Sequence, residues 1–432
     1  MARLCGTRFA KARRPLTGRR IWFFLAVLTH LVCLRLDGAT GGSKAIEQTP
    51  LGSPSDAQKA VLVLTNISGA VLGIPSREAW ESEFRYLSRV CHSMDLTQPG
   101  GRMTGMQTDV PETQWPFMQF CYLGFAAGNL AEARTAFRPR ALEEMRWLID
   151  AIQTPRLTGF ITDHFGPPFG PGFKRPSVFV HGFFLNLVMR YRAVSGDDRY
   201  DSLARTIAAK LQEAFQLSPQ GILPTYTNMW WMNDNLPALA ALAACDRAFH
   251  QDTSAIRMRF LQSARTHYLD KHGLLSSYID PGPKITLQVA RGVSICYALH
   301  FLREIDSNFA KSQYAIASRV FFRESFGLAA VREFPEGEPT AFDVDSGPVV
   351  LGMGAAASGF AIGAAAVMQD QVTASKLVAA SIVAGGPRFE ADELSFATMP
   401  PVGQAVILFG KTELLRERTG SDTSDRRSPG TP

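Results

Sequence analysis

Six segments of the 432-residue sequence share one form: a turn rich in Pro, Gly or Asp, a polar residue, then a helix-length run that is apolar on nearly every face and rich in Gly and Ala. They begin near Trp115, Ser177, Asn233, Arg291, Ser346 and Val402, so successive starts lie 55 to 62 residues apart. A helix that is apolar all round must be enclosed by protein, and a steady long period marks a repeated unit that cannot bury its apolar face alone. Between consecutive runs lies a second helical pattern carrying charges on one face, over residues 134–152, 199–215, 253–271, 306–324 and 369–384. A sixth, over 77–94, precedes the first run. Charge-bearing amphipathic helices face water, so the unit is an outer–inner hairpin. Six of them predict an all-α fold, an (α/α)6 toroid over residues 59–417, with inner and outer helix rings. Strand signals are confined to short pieces such as residues 61–64.

The ends read differently. Residues 1–20 hold seven Arg or Lys and no acid, and residues 21–34 form an apolar run interrupted only by Thr29 and His30. That run is short of the roughly 20 residues a spanning helix needs, so residues 1–37 read as a secretory signal peptide, with an uncleaved membrane anchor as the alternative. An extracytoplasmic location, periplasmic or secreted, or tethering to the membrane through this segment is the expectation. Residues 38–58 read as a linker and 418–432 as a disordered tail. The basic leader also accounts for the net charge of +6, because the remainder carries 38 basic against 39 acidic residues. A nucleic-acid surface needs cations clustered on the folded body, so no nucleic-acid partner is expected. The four cysteines beyond the leader, Cys91, Cys121, Cys245 and Cys296, stand singly in apolar contexts and read as buried thiols. They show no metal-ligand spacing, and no metal or cofactor is expected.

In a ring of this kind the inner helices run the same way, so their N-termini meet at one rim with free N–H groups and positive dipole ends. The polar residues at those starts form the expected pocket: Asp109, Glu112 and Gln114, His181, Asn233, Asp234 and Asn235, Arg291, Asp343 and Asp345, and Gln404. Any carboxylate there also serves as a helix cap. Asp234 stands out, between two amides and just after Trp230 and Trp231. Indole faces stack on sugar rings while carboxylates accept from hydroxyls. Asp345 and Asp343 lie two apart in an extended approach, and Glu333 is a further acid that either enters the pocket or pairs with a neighbouring cation. Arg291 either holds an acid ionised, binds an anionic group or forms a buried ion pair. His181 is either a core residue or an acid/base group. The Gly/Pro loop over 162–173, carrying Asp163 and His164, is long enough to cross the pocket mouth. Trp115, Tyr226 and Tyr278 lie where they could line subsites.

The hairpin pattern resembles the six-hairpin (α/α)6 toroid superfamily, which includes many glycoside hydrolases and polysaccharide lyases. Within it, Trp230-Trp231-Met-Asn-Asp-Asn-Leu-Pro, Ala290-Arg-Gly-Val-Ser and Asp343-Val-Asp-Ser-Gly-Pro are similar to bacterial toroids related to linalool dehydratase-isomerase. The resemblance, over residues 75–415, implies catalysis at the inner-helix starts. Cleaving a glycosidic bond needs one protonated and one ionised carboxyl, and acids from non-adjacent inner helices suit an inverting enzyme with room for water. The expected function is therefore a glycoside hydrolase acting on a glycan or other small-molecule substrate, with Asp234, Asp345, Asp343 and Glu333 as candidate acids. A dehydratase or isomerase of a small alcohol or terpenoid is the alternative, although that chemistry in the family uses pocket cysteines and no Cys pair stands near an inner-helix start. A non-catalytic glycan or envelope binding protein is the second alternative.

Overall fold

The computed structural model describes residues 79–98, 114–281, 285–325, 327–338 and 345–424, all within one unit, Pro54–Pro432. Among the described residues, twelve long helices alternate in role. The inner set comprises α2 (Gln114–Ala133), α4 (Val178–Ser195), α6 (Met232–Phe249), α8 (Gly292–Ile305), α10 (Ala355–Val367) and α12 (Pro401–Ser424). The outer set comprises α1 (Ala79–His92), α3 (Arg138–Ile152), α5 (Asp201–Leu217), α7 (Ser254–His267), α9 (Ser307–Phe321) and α11 (Gln371–Gly385). Each inner helix packs on the next, and α12 packs on α2, so the ring closes into the expected (α/α)6 toroid. The first and last of the described helices also meet, since α1 packs against α12.

Small residues allow the inner helices to approach so closely. A Cβ on Gly182 of α4 would lie 2.7 Å from the backbone nitrogen of Ala238 in α6, and one on Gly410 of α12 would lie 2.8 Å from the nitrogen of Gly363 in α10. Aromatic side chains fill the axis: Phe125, Phe183, Tyr297 and Phe301 pack ring to ring, and Tyr122 meets Phe360 and Phe409. At the C-terminal ends of α2 and α4, Arg190 donates to Asn129 Oδ1 at 2.6 Å and meets Glu413 of α12 at 3.3 Å, which ties three inner helices together.

The two rims differ. Connections from an inner helix to the next outer one are short, whereas those from outer to inner are long and carry all nine short strands among the described residues. β1 (Trp230–Trp231) pairs antiparallel with β2 (Tyr278–Asp280), which pairs with β3 (Thr286–Leu287). Three hairpins follow: β4 (Phe322–Ser325) with β5 (Leu328–Val331), β6 (Val349–Val350) with β7 (Met353–Gly354), and β8 (Pro387–Glu390) with β9 (Glu393–Phe396). The long connections thus decorate the rim where the inner helices begin.

Three sequence expectations need correction or placement. The fifth inner helix starts at Ala355 rather than near Ser346, because the β6–β7 hairpin intervenes. Helix α12 continues to Ser424, into the stretch read as a tail. Residues 61–64 and the leader lie outside the described residues. No helix among the described residues is long and apolar enough to cross a membrane.

Candidate functional site

At the inner-helix starts lies a cavity of about 90 Å³. Its walls come from five consecutive inner helices and the segments that lead into them. Helix α2 supplies Gln114, Trp115 and Met118, and α4 supplies Phe179. The approach to α6 gives Tyr226 and Trp231, and its first turn gives Asn233 and Asp234. Helix α8 contributes Val293, Ser294 and Tyr297, and the far wall holds Asp345 and Phe360.

Asp234 is buried in the first turn of α6, where free N–H groups and the helix dipole favour an acid. Tyr297 donates to its Oδ1 at 3.3 Å and the Asn233 amide at 3.4 Å. Burial nevertheless dominates, raising its carboxyl to about 7; the charge of Asp345 pushes the same way, while hydrogen bonds from Thr225 and Tyr297 pull it down. The backbone around it is held by side chains. The Asn235 amide brackets Leu223, accepting from its N–H at 2.7 Å and donating to its carbonyl at 3.1 Å, and also donates to the Trp231 carbonyl. Tyr226 sits in a tight turn closed by Asn228 at φ 61°, and its hydroxyl donates to Gln114 Oε1. That contact joins the approach to α6 with the start of α2.

The structure therefore brings Asp234, Asp345, Asn233, Tyr226, Trp231 and Trp115 to one cavity. It places the other candidates elsewhere. Asp343, Asp109 and Glu112 lie outside the described residues. Glu333 lies off the cavity lining, fully buried, where Arg291 directs both Nε and Nη2 to its Oε1 at 2.8 and 2.7 Å. The two anchor the end of β5 to the start of α8, with the Gly292 N–H donating to the Glu333 carbonyl at 2.8 Å. Two ions removed from water are held there by each other, so neither faces the cavity.

His181 is likewise a packing residue. Its Nδ1 accepts from the Ser177 N–H at 2.9 Å, which leaves Nε2–H to donate to the Pro168 carbonyl at 2.8 Å, and its ring stacks on Phe173. It pins the Gly/Pro loop, and burial lowers its pKa to about 4, keeping it neutral. Asp163 is exposed on a one-turn helix of that loop, and His164 beside it touches Thr227 at 2.9 Å. Trp230 pairs with Ile279 across β1 and β2, off the cavity lining. Tyr278 backs Trp231 edge to face at 5.4 Å rather than lining the cavity itself. Gln404 is a buried bracket on the backbone of Phe396 and Met399.

Sequence reasoning passed over Tyr297, Ser294, Met118, Phe179 and Phe360. Helical spacing was the available signal: Val293, Ser294 and Tyr297 lie three and four apart and share one face of α8. Cys121 and Cys296 do not line this cavity, and burial pushes both thiols up, so they remain protonated. Cys296 borders a separate, much smaller space of about 10 Å³ beneath Tyr297 and Phe360. Among the described residues, no cluster of three or more His, Cys, Asp or Glu could hold a metal ion.

No protein-family model matches the chain, and no curated protein sequence matches it. Solved structures do. An inactive variant of the α-1,6-mannanase GH76A of Salegentibacter sp. HEL1_6, in complex with α-1,6-mannotriose, superposes with a TM-score of 0.53 at 12% identity, covering 78% of this chain and 99% of that one. An unsaturated glucuronyl hydrolase specific for heparin gives 0.51 at 11% identity, covering 79% and 97%. The fold is thus that of the six-hairpin glycosidases; at these identities the likeness concerns fold alone.

Proposed function

We propose that the chain is a glycoside hydrolase acting at the inner-helix rim, with Asp234 as general acid and Asp345 as general base. The observation that carries this reading is a buried carboxyl, raised to about 7, sharing one cavity with a second acid. Two carboxyls whose environments push them apart can hold one proton between them near neutral pH, as acid–base cleavage of an acetal requires. Trp115 and Trp231 offer apolar faces to a sugar ring, with Tyr226, Asn233 and Ser294 as polar partners. The two similar solved enzymes support a carbohydrate substrate.

The acids come from different quarters of the ring, Asp234 from α6 and Asp345 from the approach to α10, with α8 between them. This separation suits a single displacement with inversion. Asp234 donates its proton to the glycosidic oxygen as the bond to the anomeric carbon breaks. Asp345 takes a proton from the water whose oxygen forms the new bond. Each carboxyl ends in the other's starting state, and solvent exchange resets both. The basic and apolar leader supports action outside the cytoplasm.

Purified protein incubated with a panel of bacterial and plant glycans, alongside folded Asp234→Asn and Asp345→Asn variants, tests the reading. Release of sugar by the wild type, reduced at least a hundredfold in either variant, is expected. Release unaffected by both substitutions, or none from any glycan, would sink it.

A further inference from the structure

A water that attacks an anomeric carbon must aim an oxygen lone pair at that carbon, so both of its O–H bonds have to point elsewhere. A general base accepts one of them. Held by that bond alone the water swings, and a second acceptor is needed to fix its direction. Tyr226 has the properties of such an acceptor. It is buried on the lining of the cavity that holds Asp234 and Asp345, a space of about 90 Å³ in which facing groups can share one small molecule. A hydroxyl has one proton to give and two lone pairs to accept with. That of Tyr226 gives its proton to Gln114 Oε1, an amide oxygen that can only accept. Burial, and then the charges of Asp234 and Asp345, push the phenol well above its ordinary value, so it keeps that proton. Toward the cavity it is left with lone pairs alone. The direction of the bond is fixed from two sides, since Gln114 begins α2 and Tyr226 sits in the turn closed by Asn228 at φ 61°.

Resting on the hydrolase reading above, we propose that Tyr226 is the second acceptor for the attacking water and that Gln114 is the residue that positions it. The water oxygen bonds to the anomeric carbon as that carbon's bond to the glycosidic oxygen breaks. One water proton passes to Asp345. The other stays on the new hydroxyl, hydrogen-bonded to Tyr226 Oη, and Asp234 supplies the proton that the leaving oxygen takes.

The test compares two leaving groups in the full chain. One substrate is the glycan that the wild type cleaves; the other is the released sugar as its glycosyl fluoride, in the configuration of the scissile bond. Fluoride departs with little need of a proton, so its hydrolysis isolates the water step from the acid step. In Tyr226→Phe, kcat on the glycan is expected to fall about tenfold to a hundredfold with KM little changed, and the loss should persist on the fluoride. Asp345→Asn should show the same persistence, whereas the loss in Asp234→Asn should shrink on the fluoride. Gln114→Leu, which frees the phenol's proton, should follow Tyr226→Phe, and it carries the test should Tyr226→Phe fail to fold. An unchanged kcat in Tyr226→Phe overturns the proposal. So does a change confined to KM, which would make Tyr226 a sugar contact, or a loss that shrinks on the fluoride, which would place it with the acid. These outcomes leave the hydrolase reading standing. No cleavage of any glycan by the wild type overturns that reading and this proposal with it.

Discussion

The hydroxyl of Tyr297 donates to Oδ1 of Asp234 across 3.3 Å, joining α8 to the first turn of α6 beneath the cavity. Both groups are buried, and the bond favours the ionised carboxylate, opposing the rise that burial causes. Removing the hydroxyl should therefore raise Asp234 further. With Asp234 as the acid, turnover falls as pH rises through about 7. In Tyr297→Phe that alkaline limb moves upward, by roughly half to one pH unit. A pH–rate profile checks this. Movement of the acid-side limb instead would mark Asp234 as the base and reverse the assignment.

The same carboxyl is a cost to the fold. The unfolded chain releases this proton near 3.8 and the folded chain near 7, so between those values the folded state holds a proton that the unfolded state has lost. Stability falls as pH rises through that interval, and the whole cost is present above 7. At 1.36 kcal/mol per tenfold, its upper bound is about 4 kcal/mol. Asp234→Asn should consequently be more stable than the wild type by about 2 to 4 kcal/mol at pH 8 and nearly equal at pH 4. Urea unfolding at both pH values measures the difference. A variant less stable at pH 8 would show that the carboxylate holds the fold.

His181 acts with the opposite sign over an overlapping range. Its folded pKa of about 4 lies below the ordinary 6.5, so as pH falls between these values the unfolded chain takes up a proton that the buried ring refuses. Stability is lost toward acid, by at most about 3 kcal/mol, and is fully present above 6.5. In His181→Gln, stability should decline less steeply from pH 6.5 to 4 than in the wild type. Identical slopes would mean that the ring accepts a proton in place.

The ring was legible because its cause is periodic: helices enclosed on all sides must be apolar all round, and each recurs once per hairpin. Asp234, Trp231 and Tyr226 were legible for a related reason, since the connections that lead into inner helices are where side chains can reach the rim. Burial partners were not. Nothing in the order of residues shows that Arg291 would turn to Glu333, 42 positions away and brought near by β5. His181 and Asn235 stand at inner-helix starts like Asp234, yet they bracket backbone groups because the turns before them need closing. Which polar residue faces the cavity and which braces its wall is decided by loop geometry, and the fifth connection shows how far that geometry departs from the repeat. There the β6–β7 hairpin displaces the helix start by nine residues, from Ser346 to Ala355.

Ring closure supplies the last prediction. Lys411 of α12 and Glu83 of α1 meet at 2.6 Å with only 1% and 4% of their side chains exposed, and they join the last described helix to the first. Burial outweighs the ammonium at Glu83, so its carboxyl still lies above the ordinary value. The pair therefore holds the fold mainly by each ion compensating the other. Lys411→Met should cost about 3–5 kcal/mol at pH 8, because it strands a buried carboxylate. The loss should shrink at pH 5, where Glu83 can take a proton instead. Adding Glu83→Leu should restore most of the stability, since both charges are then gone. Urea unfolding of the two single variants and the double variant decides the matter. A double variant as unstable as Lys411→Met would show that the α1–α12 seam needs the ion pair itself rather than freedom from an uncompensated charge.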